Sequence, residues 1–220
     1  MDKELNENVL TTGTSLVGIV CKDGVVMAGD RKTTAGGRVV MNKNKQKVAK
    51  ITDYLVISGT GTASDIELAK KIIRAQLKLK EFRDKKRPSV REAANLVAML
   101  SYRNIRQPSM IPFIAGLTVG GVNEDKSTEL YSVEPAGSVM KVEDFDANFS
   151  SGMPYILGFL ERQYRKNLSI EEGIKLAIEA IKSSSERDTA SGFGIDVFTI
   201  TGDGIKHVSR QRTESVYKEE

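Results

Sequence analysis

TTGTSLVGIVCKDGVVMAGD, residues 11–30, sets four hydroxyl residues around one glycine and then runs into two apolar segments. The segments TSLVGIVCK and VVMAGD read as antiparallel strands, joined by Asp23-Gly24 as a two-residue hairpin turn. Strand geometry puts Leu16, Gly18 and Val20 on one face and Val17, Ile19 and Cys21 on the other, and neither face is polar. Strands of this kind are covered on both sides, so the hairpin belongs inside a layered fold.

The neighbouring sequence extends the pattern. More strand is expected around 38–41 and 47–51. YLVIS (54–58) then passes through the glycine-rich corner GTGTASD into a helix at about 63–83. That helix carries Ile66, Ala69, Ile72, Ile73 and Leu77 on one side and Lys70, Lys71, Arg74 and Lys78 on the other. A capping box, Ser89 to Glu92, opens a second helix, which Pro108 and Pro112 close. IPFIAGLTVGGV and STELYSVE form a hairpin around NEDK, with short pieces at 138–149. Two more helices, 152–165 and 169–186, follow; the second is opened by the capping box Ser169 to Glu172. GIDVFTIT, a GDG turn and a last strand end the chain. Strands thus come in hairpins and helices in pairs, which predicts an α+β fold: two antiparallel sheets face to face, each with a helix pair outside.

With 220 residues, 40% of them hydrophobic and 28% charged, the chain has the composition of one folded domain with a sizeable core. A net charge of +4 from 33 basic and 29 acidic residues is a mixed surface, not a nucleic-acid footprint. The single cysteine, Cys21, excludes an internal disulfide and a cysteine-cluster zinc site, which fits a reducing cytoplasm. MDKELNENVL has neither the basic start nor the apolar core of an export signal, and no apolar run reaches membrane-spanning length. The expected partners therefore include neither nucleic acid nor membrane.

Familiar chemistries fail one after another. A Ser-His-Asp triad needs a histidine, and the only one, His207, sits in the final hairpin, where a surface strand residue is expected. Asp144-Phe-Asp146-Ala-Asn148 begins like a calcium loop but lacks the glycine and the closing glutamate, so it reads as a turn and no metal is expected. GTGTASD has no Lys-Ser/Thr after it and is no phosphate loop. KLKEFRDKKRPSVR is interrupted by Glu81 and Asp84 and reads as a solvated helix end. What remains is a hydroxyl activated without histidine. A chain-terminal amine can act as its base, because its reference pKa of roughly 7.7–8.0 lies near working pH. For Thr14, that amine exists only once the Gly13–Thr14 bond has been broken.

The stretch GTSLVGIVCKDGVVMAGDRKTTAGG resembles the N-terminal signature of proteasome β subunits, the archaeal ones especially. The resemblance continues through Lys47, SGTGTASD, Gly120-Gly121, YSVEPAGS, SSGMPYILGFLE and SSERDTASGFGIDV, covering residues 13 to about 210. It implies the four-layer αββα sandwich of N-terminal-nucleophile hydrolases, a prosegment 1–13 removed by self-cleavage, and a catalytic domain 14–220. By the same resemblance Thr14 is the nucleophile and its amine the base. Asp30 and Lys47 are the buried pair beside it, and Gly61 is the oxyanion donor through its backbone. Ser151, Asp188 and Ser191 orient the amine and a water. Thr33, Thr34, Gly59, Gly61, Ala63 and Glu67 belong to the substrate site, with Thr34 pairing its backbone with the substrate strand. No cofactor is implied. The implied setting is a barrel of heptameric rings with α subunits outside and an ATPase unfoldase feeding in unfolded polypeptide.

The sequence departs from the family pattern twice. Lys32 stands where arginine is usual, which replaces a fork supporting the acidic residue by a point charge. The segment between Asp30 and Lys47 is one residue longer, which affects the placement of Lys45. By the same resemblance the Gly59 position sets pocket depth, so a glycine there implies an open floor. The resemblance also puts Glu67 on the pocket wall, where it favours a cationic substrate side chain unless Lys71, at i+4, neutralises it or Lys45 intrudes. The competing readings are an unprocessed, non-catalytic structural β subunit, a bacterial ATP-dependent relative with the same nucleophile, and an amidase of the wider fold class.

Overall fold

A computed structural model describes residues 13–110 and 112–213; residues 1–12 of the expected prosegment lie outside them. Alternation along the first strand fixes the layers. In β1 (Leu16–Cys21), Leu16 points into one apolar core, while Val17 and Ile19 point into another. The strand is covered on both faces, as its composition requires.

β1, β2 (Gly24–Asp30), β10 (Phe145–Asp146), β11 (Gly194–Thr201) and β12 (Gly204–Arg212) form an antiparallel sheet in the order β10-β1-β2-β11-β12. The facing sheet runs β5-β6-β7-β8-β9, from β5 (Val48–Lys50), β6 (Leu55–Gly61), β7 (Ala115–Val122), β8 (Thr128–Val133) and β9 (Val139–Lys141). A small hairpin of β3 (Thr33–Ala35) and β4 (Val39–Asn42) stands apart. Helices α1 (Ala63–Asp84) and α2 (Val90–Ile105) cover the second sheet; α3 (Met153–Gln163) and α4 (Ile170–Ser185) pair with each other, and α4 packs on the first sheet. This is the α+β sandwich expected, helix pair, sheet, sheet, helix pair. The sheets approach closely because Gly120 leaves room: a Cβ there would lie 2.6 Å from the Met27 sulfur.

Both predicted capping boxes form. Ser89 accepts from the Glu92 N–H and Ser169 from the Glu172 N–H, with each glutamate bonding back. The first hairpin turn differs by one residue from the expectation. Cys21 pairs with Gly24, so Lys22-Asp23 make the turn and Gly24 opens β2. Glycine is required there because a Cβ would meet the Ile200 carbonyl oxygen at 2.2 Å. No described helix is long and apolar enough to cross a membrane.

Candidate active site

Three chain segments meet where β1 begins. β2 ends at Asp30, Lys47 immediately precedes β5, and the turn after α4 brings residues 188–192 alongside. Thr14 lies at their junction, 3% exposed. Its hydroxyl donates to the Gly13 carbonyl oxygen at 2.7 Å, and the Lys47 ammonium donates to the same oxygen at 2.8 Å. A hydroxyl and a cation therefore converge on the carbonyl of the bond expected to break. Gly13 has no room for a side chain, since a Cβ would lie 1.7 Å from that of Ala190.

Lys47 is held by Asp30 at 2.7 Å, and both side chains are buried. Asp30 also accepts backbone N–H groups from Ser15 (2.8 Å), Lys32 (3.0 Å) and Gly192 (3.0 Å). Burial pushes the Asp30 carboxyl up and the Lys47 ammonium down, and their mutual attraction opposes both shifts. The expected consequence of Lys32 needs correction: its backbone supports Asp30, while its ammonium reaches the Thr189 carbonyl. The guanidinium fork of this region is Arg31, buried against Asp196 and bonded to Asn44. His207 is also more than a surface strand residue. Its ring stacks on Phe198 and its Nε2 lies 3.1 Å from the buried Asp196 carboxylate.

A chain of hydroxyls closes the other side. The Thr14 N–H donates to Ser151 Oγ at 2.9 Å; Ser151 and Ser191 donate to one oxygen of Asp188 at 2.6 and 2.5 Å. Ser15 lies 2.8 Å from Ser191 and 2.6 Å from Ser184. The sequence reading named Ser151, Asp188 and Ser191 but missed Ser15 and Ser184, two links of the same chain. The side-chain oxygen of Thr34 accepts from the Gly13 N–H at 3.3 Å.

Beside Thr14 lies a cavity of about 130 Å³, lined by Thr33, Gly59, Gly61, Ala63, Glu67 and several residues not expected there, Lys70 among them. Gly61 ends β6 with φ of +112°, and a Cβ there would meet the Ile114 carbonyl oxygen at 2.2 Å, so glycine is required. The open floor expected at Gly59 is not found: the position of its missing Cβ lies 2.7 Å from Ile66 and 2.8 Å from Leu117. Glu67 pairs with Lys45 from the segment before β5, and not with Lys71. Among the described residues no group of three or more His, Cys, Asp or Glu side chains could hold a metal ion.

The comparisons decide the family. Residues 10–200 match the family described as proteasome subunit. A proteasome subunit beta 2 of Pyrococcus abyssi is 39% identical over 207 residues, which cover 94% of this chain and 96% of that one. A proteasome subunit beta of Nanoarchaeum equitans is 37% identical over 193 residues, covering 88% and 95%, respectively. A proteasome subunit beta 1 of Thermococcus kodakarensis is 37% identical over 204 residues, covering 93% and 96%. The chain belongs to the proteasome subunit family. All three of these relatives are β subunits.

Proposed function

We propose that this β subunit is a self-processing threonine endopeptidase with Thr14 as nucleophile. The observation that carries the proposal is the convergence of the Thr14 hydroxyl and the Lys47 ammonium on the Gly13 carbonyl oxygen. In processing, Thr14 Oγ attacks the Gly13 carbonyl carbon and its proton passes to the Thr14 nitrogen as the C–N bond breaks. This gives an ester and a free amine. Water then hydrolyses the ester, releasing residues 1–13 and leaving a domain 14–220 that starts with Thr14. The Lys47 ammonium stabilises negative charge on oxygen during the attack, an effect worth 10²–10³-fold at comparable sites.

In turnover the new amine takes the Thr14 Oγ proton while Oγ attacks a substrate carbonyl. The amide bond breaks, the leaving amine receives the proton, and water hydrolyses the acyl-threonine ester. Asp188, Ser151 and Ser191 hold the amine and the incoming water; Gly61 offers its backbone N–H to the developing oxyanion. The Thr34 backbone pairs with the substrate strand. Unfolded polypeptide in the cytoplasm is the proposed substrate, degraded inside heptameric β rings flanked by α subunits and fed by an ATPase unfoldase.

The test is the intact mass of the chain after co-assembly with α subunits. The expected mass is that of a chain beginning at Thr14. A chain beginning at Thr11 or Thr12 would remove Thr14 from the role, and one retaining all residues would establish a structural subunit.

A further inference from the structure

Among the described residues, the cavity beside Thr14 contains an ammonium with no counter-charge. Lys70 lies on α1 one turn after Glu67 and lines the cavity, partly buried. Its Nζ donates to the Lys47 carbonyl oxygen at 2.8 Å, one bond out of the three that an ammonium can make. The carboxylate on this wall, Glu67, is already engaged by Lys45. Among the described residues, no carboxylate forms an ion pair with Lys70. Ala49, Gly59, Ala63 and Ile66 line the same cavity, giving it apolar walls beside the Lys70 ammonium.

We propose that this pocket receives an acidic side chain, glutamate above all, from the substrate residue before the bond that is cut, its carboxylate meeting the Lys70 ammonium. The proposal rests on Thr14 being the nucleophile. Glutamate suits the lining because its two methylenes lie against apolar walls while its charge reaches the cation. A lysine or arginine side chain would bring a third cation against Lys45 and Lys70, the reverse of what Glu67 alone suggested. A leucine side chain fits the apolar walls but leaves the ammonium unanswered.

Burial first, and the Lys45 charge second, push Lys70 down to about 7. The ammonium is therefore present below that value and lost above it, and a bound carboxylate moves the transition upward. The other charged groups facing it are Lys45 and Lys47 from the segment leading to β5, Glu67 on its own helix, and the amine that processing creates at Thr14. The preference for glutamate over its uncharged isostere glutamine should be largest near pH 6 and decline as pH rises through and beyond about 7. Taking the ratio of two substrates at each pH cancels titrations that affect both alike.

The experiment uses the core assembled with α subunits, wild type and with Lys70→Met or Lys70→Arg. Fluorogenic peptides ending in Glu or Gln before the reporter give kcat/KM ratios across pH. Labelled product peptides ending in Glu or Gln give affinities by anisotropy, without any need for turnover. We expect a Glu-to-Gln ratio of about tenfold in both measurements at low pH, about one in Lys70→Met, and largely restored in Lys70→Arg. The pH series on the wild type needs no variant, so a Lys70→Met chain that fails to assemble does not rescue the idea. Equal or absent affinity for the two peptides, a ratio flat with pH, or a ratio unchanged by Lys70→Met overturns the proposal. Retained Glu preference in binding beside failure to cleave either substrate overturns the peptidase reading instead.

Discussion

Two ion pairs flank the cavity, and they differ in nearly everything but composition. At Asp30–Lys47 the side chains are 0% and 7% exposed, and the carboxylate has four donors. At Lys45–Glu67 they are 38% and 47% exposed, with water able to replace either partner. The first pair is costly to assemble and costlier to halve, because one partner left alone is a buried charge. The second contributes ~0–1 kcal/mol and can be rearranged by whatever enters the pocket. On the function proposed above, a rigid pair beside the reacting bond and a yielding pair beside the variable side chain would divide chemistry from selection.

Lys47→Ala is the hardest blow to this contrast. It should leave the chain unprocessed and lower peptidase activity by about 100-fold or more, as judged by intact mass and fluorogenic turnover. It should also destabilise the fold by about 3 kcal/mol, since Asp30 keeps only backbone donors. A processed variant with near wild-type turnover would show that the buried pair is merely structural.

Gly13→Ala attacks the bond and spares the pair. Its Cβ collides with Ala190 and should slow processing by about 100-fold, in line with an ångström-scale misplacement. Adding Ala190→Gly should restore little of the rate, because the same Cβ would still lie 2.5 Å from the residue 190 Cα and carbonyl oxygen. In the proposed processing residue 13 leaves with the prosegment, so processed molecules of Gly13→Ala should turn over peptides at the normal rate; a time course of mass and activity separates the two.

Asp188→Asn should be milder. One Asp188 oxygen accepts both Ser151 and Ser191 and the other accepts the Ala190 N–H, whereas an amide nitrogen only donates, so asparagine gives up one set or the other. Turnover should fall about tenfold, the scale of one hydrogen bond to a charged group. Glu67→Gln should do least to the fold, with a thermal midpoint shift under about 2 °C by calorimetry. A larger loss would mean that the exposed pair has been undervalued.

The sequence made the buried pair more legible than the exposed one. Asp30 ends an apolar strand, and the resemblance carried by the motifs around it placed it beside Thr14 and Lys47. Alternation in β1 and the two capping boxes likewise reveal their environment locally. Partners chosen across the fold are harder to read. Lys71 was the natural helix partner for Glu67, yet Lys45 arrives from a different segment. Ser15 and Ser184 come together from 169 residues apart, and no local period predicts such a meeting. Asp196 was the clearest missed signal, a lone acid in GIDVFTIT whose burial demanded a partner such as Arg31. The Gly59 inference failed because a missing side chain does not guarantee a space: Ile66 and Leu117 had already filled it.

The last-made part of the site bears on when the proposed self-cleavage can occur. Asp30 receives its fourth donor from Gly192, Ser151 is held by Asp188, and Gly13 is seated against Ala190. All three supports come from residues 188–192, synthesised after most of the fold. A chain still emerging from the ribosome without that segment lacks these constraints, however well its first hairpin has formed. The order of synthesis thus acts as a delay, keeping the complete cutting geometry from a chain whose sandwich has yet to close.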